Sequence, residues 1–193
     1  AVLALYVGSF AVYQGIDLLF RSIPPATRRN PHLHFAIIGG SPAEVAARRA
    51  ELAAAGCADR VLFLGHVDPD ELPHVLAAAD ILLSPRIAGS NTPLKLLDYL
   101  KIGRAIVACD NPANRLILDD SNARLVAPEP DAFAAGIAAL AADAALRERL
   151  GTAGRRLHLA TYNYREYRRR LAEVYRQLLG PVAAVCRPPE TLP

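Results

Sequence analysis

The stretch with the most chemical potential is the polar loop Pro85-Arg86-Ile87-Ala88-Gly89-Ser90-Asn91-Thr92-Pro93, which runs into Leu94-Lys95-Leu96-Leu97-Asp98. Pro93 suits a first helical turn, where its missing N–H costs nothing, and Asn91 or Thr92 can cap the helix. The amides of Leu94 and Lys95 would then face an anion, worth ~0.3–1 kcal/mol when exposed and up to ~2 kcal/mol when partly buried. Arg86 or Lys95 could add a charge-assisted hydrogen bond of ~1.5–3 kcal/mol. Asp98 follows Leu94 by one helical turn. A carboxylate there repels phosphate but accepts two hydrogen bonds from a ribose diol. The alternative is a surface helix on which Asp98 pairs with Lys95 or Lys101.

Three shorter segments offer similar chemistry: Gly8-Ser9-Phe10 with Gln14-Gly15, Gly39-Gly40-Ser41-Pro42, and Gly65-His66-Val67. Glycine lets a ligand approach the backbone closely, although glycine also simply ends strands. What ties these segments to the loop is what precedes each of them. Val2–Val7, His34–Ile38, Val61–Leu64 and Ile81–Ser84 are short apolar runs, as expected of parallel strands buried on both faces. Ala105–Ala108 and Ala123–Val126 predict two more. Between the runs lie helical patterns at Tyr13–Ile23, Ala43–Ala55, Glu71–Ala79, Leu94–Ile102 and around Ala113–Leu118. This alternation predicts an α/β fold, a doubly wound, Rossmann-like parallel sheet of about six strands with helices on both faces. In such a sheet ligands bind beyond the carboxyl ends of the strands, where all four polar segments fall.

After Pro128 the pattern becomes wholly helical, at Asp131–Leu140, Ala144–Gly154 and Tyr164–Leu179, giving extra C-terminal helices. Residues 1–180 are expected to form the domain, and residues 181–193, with four of the fifteen prolines, a loose tail. The chain has 193 residues, 52% of them hydrophobic, and no apolar run near the ~20 residues that span a bilayer. A net charge of +3 is too small to imply a nucleic-acid partner, and the arginine runs at 155–156 and 165–170 read as solvated helix faces. Cys57, Cys109 and Cys186 fit neither a disulfide framework nor a zinc site, which points to a reducing compartment. The absence of Met, even at position 1, predicts a processed or excised piece of a longer polypeptide. Without a charged leader or cleavage pattern at Ala1, a cytoplasmic location is expected.

Other constellations carry less. No G-x-G-x-x-G follows the first strand and there is no Walker A sequence. Asp68-Pro69-Asp70 reads as helix capping rather than metal binding, and the five His residues form no metal-ligand pair. No metal or cofactor is expected. Cys109 ends a strand near the crevice but has no partnered base.

Taken in order, several blocks resemble the C-terminal donor-binding domain of family-4 retaining glycosyltransferases of the GT-B fold. They are Tyr6–Leu19, Ile37–Pro42, Arg60–Val67, Ala78–Pro85 and above all Asn91–Ala108 (Asn-Thr-Pro-Leu-Lys-Leu-Leu-Asp-Tyr-Leu-Lys-Ile-Gly-Arg-Ala-Ile-Val-Ala). The resemblance spans the first strand to about Leu179. It implies a site for a UDP- or GDP-linked sugar built from Gly8, Ser9, Gln14, Gly40, His66, Val67, Arg86, Ser90, Asn91, Thr92, Pro93, Leu94, Lys95 and Asp98. The family's ribose-binding glutamate falls on Asp98 and its sugar-side glutamate on Ser90. Its basic pair for the diphosphate falls on Ser9 and Gln14, so here either Arg86 and Lys95 compensate or diphosphate binding is weakened.

The resemblance further implies sugar transfer with retained anomeric configuration, electrostatic stabilisation of the leaving diphosphate without a metal, and an acceptor site on an N-terminal domain outside this chain. Peripheral membrane attachment would also come through that domain. Tyr162, Tyr164, Tyr167 and Tyr175 become candidates for contacts with it. The competing readings are a non-catalytic interaction or scaffold domain with a degenerate nucleotide site, motivated by Ser9, Gln14 and Ser90, and a sugar-nucleotide epimerase of related architecture.

Overall fold

Six apolar segments pair side by side into one all-parallel sheet: β1 (Val2–Val7), β2 (Leu33–Ile38), β3 (Val61–Gly65), β4 (Ile81–Ser84), β5 (Ala105–Cys109) and β6 (Arg124–Val126). Their order across the sheet is β3-β2-β1-β4-β5-β6. The computed structural model describes residues 1–89 and 91–179, so Ser90 and the expected tail at 181–193 lie outside the described residues. Every residue of β4 and β5 is buried, which explains their unbroken apolar character. At the edge, β3 departs from that expectation. Val61 is buried and Phe63 half-buried while the alternate side chains Leu62 and Leu64 face solvent, so only one face of this edge strand is covered.

Eight helices are found among the described residues: α1 (Ile16–Arg29), α2 (Pro42–Ala54), α3 (Leu72–Ala78), α4 (Lys95–Ile102), α5 (Pro112–Arg115), α6 (Pro130–Ala142), α7 (Ala144–Thr161) and α8 (Tyr164–Leu179). The amphipathic faces of α1 and α6 close one side of the sheet through Ile16, Leu19, Ile23, Phe133, Ile137 and Leu140. Leu76 of α3 and Leu96, Tyr99 and Leu100 of α4 close the other. α2 starts with a full capping box, in which Ser41 and Glu44 satisfy each other's backbone N–H.

Three helices differ from the sequence expectation. The segment at Tyr13 does not begin a helix: Val12–Gln14 is a single 3-10 turn, Gly15 breaks it with a left-handed conformation, and α1 then runs on through Pro24 and Pro25. The two prolines forfeit helical hydrogen bonds, yet Ile23 and Ala26 on either side are fully buried, and that burial keeps the helix going. α7 continues to Thr161, past Gly151 and Gly154, which are packing residues rather than stops. A Cβ on Gly151 would lie 2.2 Å from the Gly103 carbonyl oxygen. α5 is one short turn, ending at Arg115 rather than Leu118.

The strand order reverses direction between β1 and β4. From β1 the chain winds out through α1 to β2, and from β4 it winds the other way through α4 to β5. The two departing loops therefore diverge and leave a crevice above the carboxyl ends of these strands. They are stitched together at its base: the amides of Ile87 and Ala88 donate to the Tyr13 carbonyl at 3.2 and 3.4 Å. Gly15, at φ 72°, packs so tightly on the other loop that a Cβ would lie 1.9 Å from the Pro85 carbonyl oxygen.

Gly15→Ala is accordingly expected to destabilise the fold by about 2–4 kcal/mol, combining left-handed strain with overpacking. Gly56→Ala has a similar positive φ but open space around the new methyl group, so only the strain of about 1–2 kcal/mol should be seen. Denaturant unfolding of the two variants measures the difference. Equal losses would mean that the contact between the loops carries no energy.

Candidate functional site

Two cations meet in this crevice. Arg86 follows β4 directly and is only 3% exposed. Its Nε donates to the Ala88 carbonyl at 2.8 Å, its Nη2 donates to Asn91 Oδ1 at 2.6 Å, and its guanidinium lies 5.5 Å from the centre of the Tyr13 ring. Lys95 opens α4 and reaches across the switch point toward β1. Its Nζ donates to Gln14 Oε1 at 3.1 Å and sits 4.7 Å from the centre of the Tyr6 ring.

Among the described residues neither cation has a carboxylate in ion-pair range. Burial, and secondarily the Arg86 charge, lower the Lys95 pKa to about 8. Neutral acceptors and aromatic faces therefore hold two positive charges that no anion among the described residues compensates. A buried charge is costly unless paired, so this arrangement favours an incoming anion.

The rest of the lining is mostly apolar side chain and glycine backbone, with Ser9 and His66 as its polar members. Gly8, Ser9, His66 and Val67 share a cavity of about 270 Å³ with Val7, Ile38, Gly39, Gly65 and Leu72. Gly8 is what lets the ammonium in: a Cβ there would sit 2.7 Å from Lys95 Nζ. Gly40 lies against the Phe10 ring. The Tyr6 hydroxyl donates to the Ser9 carbonyl at 2.8 Å, and its burial holds the phenol well above its usual pKa.

The start of α4 differs from the expected cap. Pro93 lies just before the helix, Leu94 occupies the cap position, and no side chain caps the first turn. Asn91 is diverted to Arg86, a stronger donor because it is charged. The outcome for an anion is the same in kind, since the first-turn amides keep no side-chain acceptor. Thr92 is half-buried, Pro93 buried and Leu94 exposed. Asp98 is exposed one turn along and makes no ion pair with Lys95 or Lys101, which removes the surface-salt-bridge alternative. It borders a neighbouring groove of about 230 Å³ between α3 and α4, which Leu72 connects to the crevice.

Residues that sequence reasoning passed over shape the site as well. Tyr6 and Tyr13 supply the aromatic faces under the two cations. Asn111 donates to the Arg86 carbonyl at 2.6 Å and fixes the loop from the β5 side. Only their distance in the fold assigns them, so no local signal could have found them. Cys109 donates to the Pro85 carbonyl, and burial pushes its thiol up to about 12, so it is a neutral structural donor and not a nucleophile. Asp68 caps its own turn by accepting from the Asp70 amide, not a helix. Among the described residues no group of three His, Cys, Asp or Glu side chains converges, and no helix is long and apolar enough to cross a membrane.

Residues 1–143 match the family described as Glycosyl transferases group 1. The chain is 30% identical over 172 residues to the GDP-mannose-dependent alpha-(1-6)-phosphatidylinositol monomannoside mannosyltransferase of Mycolicibacterium smegmatis, covering 83% of this chain and 44% of that protein. It spans less than half the length of the curated relatives it matches. Its fold is shared with the C-terminal domain of a glycosyl transferase group 1 family protein, LpcC, from Francisella tularensis (TM-score 0.76, 21% identity, 84% of this chain and 87% of that one). It is shared too with Anabaena HepE in complex with UDP (TM-score 0.81, 15% identity, 91% and 48% covered). The switch-point crevice thus sits in a fold and sequence of one lineage: the chain belongs to the group 1 glycosyl transferases and is a transferase domain corresponding to the C-terminal half of the GT-B fold.

Proposed function

We propose that this chain is the donor half of a retaining glycosyltransferase, holding a nucleoside diphosphate sugar in the crevice while an N-terminal domain outside the chain presents the acceptor. The observation that carries this reading is the pair of uncompensated cations, Arg86 and Lys95, at the topological switch point. The close approach of Lys95 Nζ to Gly8 and the uncapped first turn of α4 suit a diphosphate lying between the β1 and β4 loops. As the acceptor hydroxyl oxygen bonds to the anomeric carbon, the bond from that carbon to the β-phosphate oxygen breaks, its electron pair moves onto the diphosphate, and the hydroxyl proton passes to the departing phosphate. Arg86, Lys95 and the α4 amides meet that charge without a metal. Asp98, one turn on and free of a salt bridge, takes the ribose hydroxyls. His66 and Val67, with Gly40 and Ser9, line the remaining wall, and Asn91 to Leu94 complete the rim on the α4 side.

The named relative uses GDP-mannose and the named structure holds UDP, so both bases belong to the trial set. Tyr164, Tyr167 and Tyr175 stand exposed on α8, of which no residue is buried, and this supports α8 as a contact surface for the N-terminal domain. Tyr162 instead packs against the core beside Leu157. Attachment to a membrane, if the whole enzyme has it, would come through that other domain, in keeping with a cytoplasmic enzyme.

The scaffold reading, motivated by Ser9 and Gln14, meets a specific obstacle. Gln14 accepts a hydrogen bond from the Lys95 ammonium, so a cation is already present where the family places one, delivered from α4 rather than from the β1 loop.

Calorimetric titration of the chain with UDP, GDP, UDP-glucose and GDP-mannose tests the proposal. At least one should bind, and Lys95→Ala or Arg86→Ala should weaken it by about tenfold to a hundredfold, the loss of one charge-assisted hydrogen bond. No binding at millimolar ligand with the fold intact sinks the donor-site reading. The affinity should also depend on pH with a definite sign. Free Lys95 is protonated below about 8, so binding is strongest there. Above that pH the ammonium must be re-protonated to bind, and affinity falls by up to about tenfold per pH unit. A profile that stays flat from pH 7 to 10 would remove Lys95 from the phosphate contacts. Finally, Ser9→Lys with Gln14→Lys should give no gain in affinity, because a second ammonium would displace the first by repulsion. A large gain would mean that the native site lacks phosphate anchors and the scaffold reading is the better one.

A further inference from the structure

A cavity larger than the crevice and its neighbouring groove lies at the other end of the sheet. It encloses about 540 Å³ at the amino-terminal rim of β4 and β5, between the end of α4 and the middle of α7. Four cations line it, Lys101, Arg104, Arg155 and Arg156, together with the Thr152 hydroxyl; no acidic side chain does. Two of the four have a local partner in the backbone: Lys101 sits in the last turn of α4, and Arg104 donates to the Ala77 carbonyl at the end of α3. Arg155 and Arg156, consecutive and exposed on α7, have none among the described residues.

Several arginines elsewhere are matched with carboxylate. Arg48 pairs with Asp17 and Glu51, Arg115 with Asp110 and Asp120, and Arg169 and Arg170 with Glu166. Asp80 and Glu148 line the adjoining groove, which shares Arg104, but the cleft's own lining sets four like charges around one concavity, a repulsion that a polyvalent anion would relieve, and the concave wall concentrates their field. Ile102 and Leu159 add an apolar flank. The position is fixed by the fold: Gly103 ends α4 in a left-handed turn and lies against Gly151, so α4 and α7 touch backbone to backbone and hold their basic residues on one wall.

We propose that this cleft is a second anion site, separate from the switch-point crevice, which takes clustered phosphate charge, carried either by a free polyphosphorylated molecule or by the headgroups of an anionic lipid surface. Guanidinium groups suit this role through paired N–H donors, and Thr152 adds a neutral one.

The test uses the full chain and two probes. Tripolyphosphate binding is measured by calorimetry in a Lys95→Ala background, which weakens the crevice contribution. Cosedimentation is measured with phosphatidylglycerol and phosphatidylcholine vesicles. Arg155→Ala with Arg156→Ala keeps the Cβ that packs near Gly103. It should weaken tripolyphosphate binding, or phosphatidylglycerol cosedimentation, at least about tenfold while leaving the melting temperature and the UDP and GDP titrations unchanged. Arg156→Glu alone, which does not touch Gly103, should act in the same direction if the double variant folds poorly. Loss of tripolyphosphate binding identifies a free phosphate as the source; loss confined to phosphatidylglycerol vesicles identifies a lipid. Neither probe binding the chain, or both binding it equally before and after the substitutions, overturns the second site.

Discussion

A contact between two pieces of backbone sets the geometry on which the rest depends. Gly15 presses against the Pro85 carbonyl, and the Tyr13 carbonyl accepts from the amides of Ile87 and Ala88. These join the loop after β1 to the loop after β4 at the place where the sheet reverses its winding. Diverging loops alone would make an open notch. Stitched at the base, they make a crevice in which Arg86, from the loop after β4, lies over the Tyr13 ring and Lys95, from the start of α4, lies over the Tyr6 ring of β1. No side chain larger than hydrogen fits at position 15, so the closeness is a property of the backbone.

Within that frame the electrostatics follow from what is left out. Ion pairs on the surface of this chain are numerous and cost the protein little to form or lose. In the crevice the opposite choice is made: amide oxygens, carbonyls and ring faces surround two cations, and carboxylates are kept away. Such partners stabilise a guanidinium or an ammonium without neutralising it. The lowered Lys95 pKa is the trace of this arrangement, since burial and a neighbouring positive charge both disfavour the charged form. The Arg86–Asn91 bond belongs to the same design, and it takes away the cap that α4 was expected to have.

The two rims of the sheet share a logic and differ in construction. At the carboxyl rim the cations are buried or half-buried and held by specific acceptors. At the amino rim they are exposed, arranged on α4 and α7 by the Gly103–Gly151 approach. Both depend on glycine where two main chains meet, and both place positive charge where the fold supplies a concavity.

The six strands and the α/β order were legible because parallel strands buried on both faces leave continuous apolar runs, a one-dimensional signature. So was the location of chemistry in the segments following those runs, and the family resemblance carried by Asn91–Ala108 agrees with the match found over residues 1–143. What one dimension could not express is distance through space. Nothing local marks Gln14 as the partner of a lysine eighty-one residues later, or Tyr6 as the ring beneath it. Position 14 looked like a lost charge in the sequence, whereas in the fold a cation occupies the same region from the opposite loop. Likewise Pro24, Pro25 and Gly154 stand where the local pattern ends a helix, but burial of Ile23, Ala26 and the α7 contact overrides local propensity. Sequence periodicity settles which faces are apolar; only packing decides which residues from distant segments share a space, because that depends on the crossing of chains and not on their order.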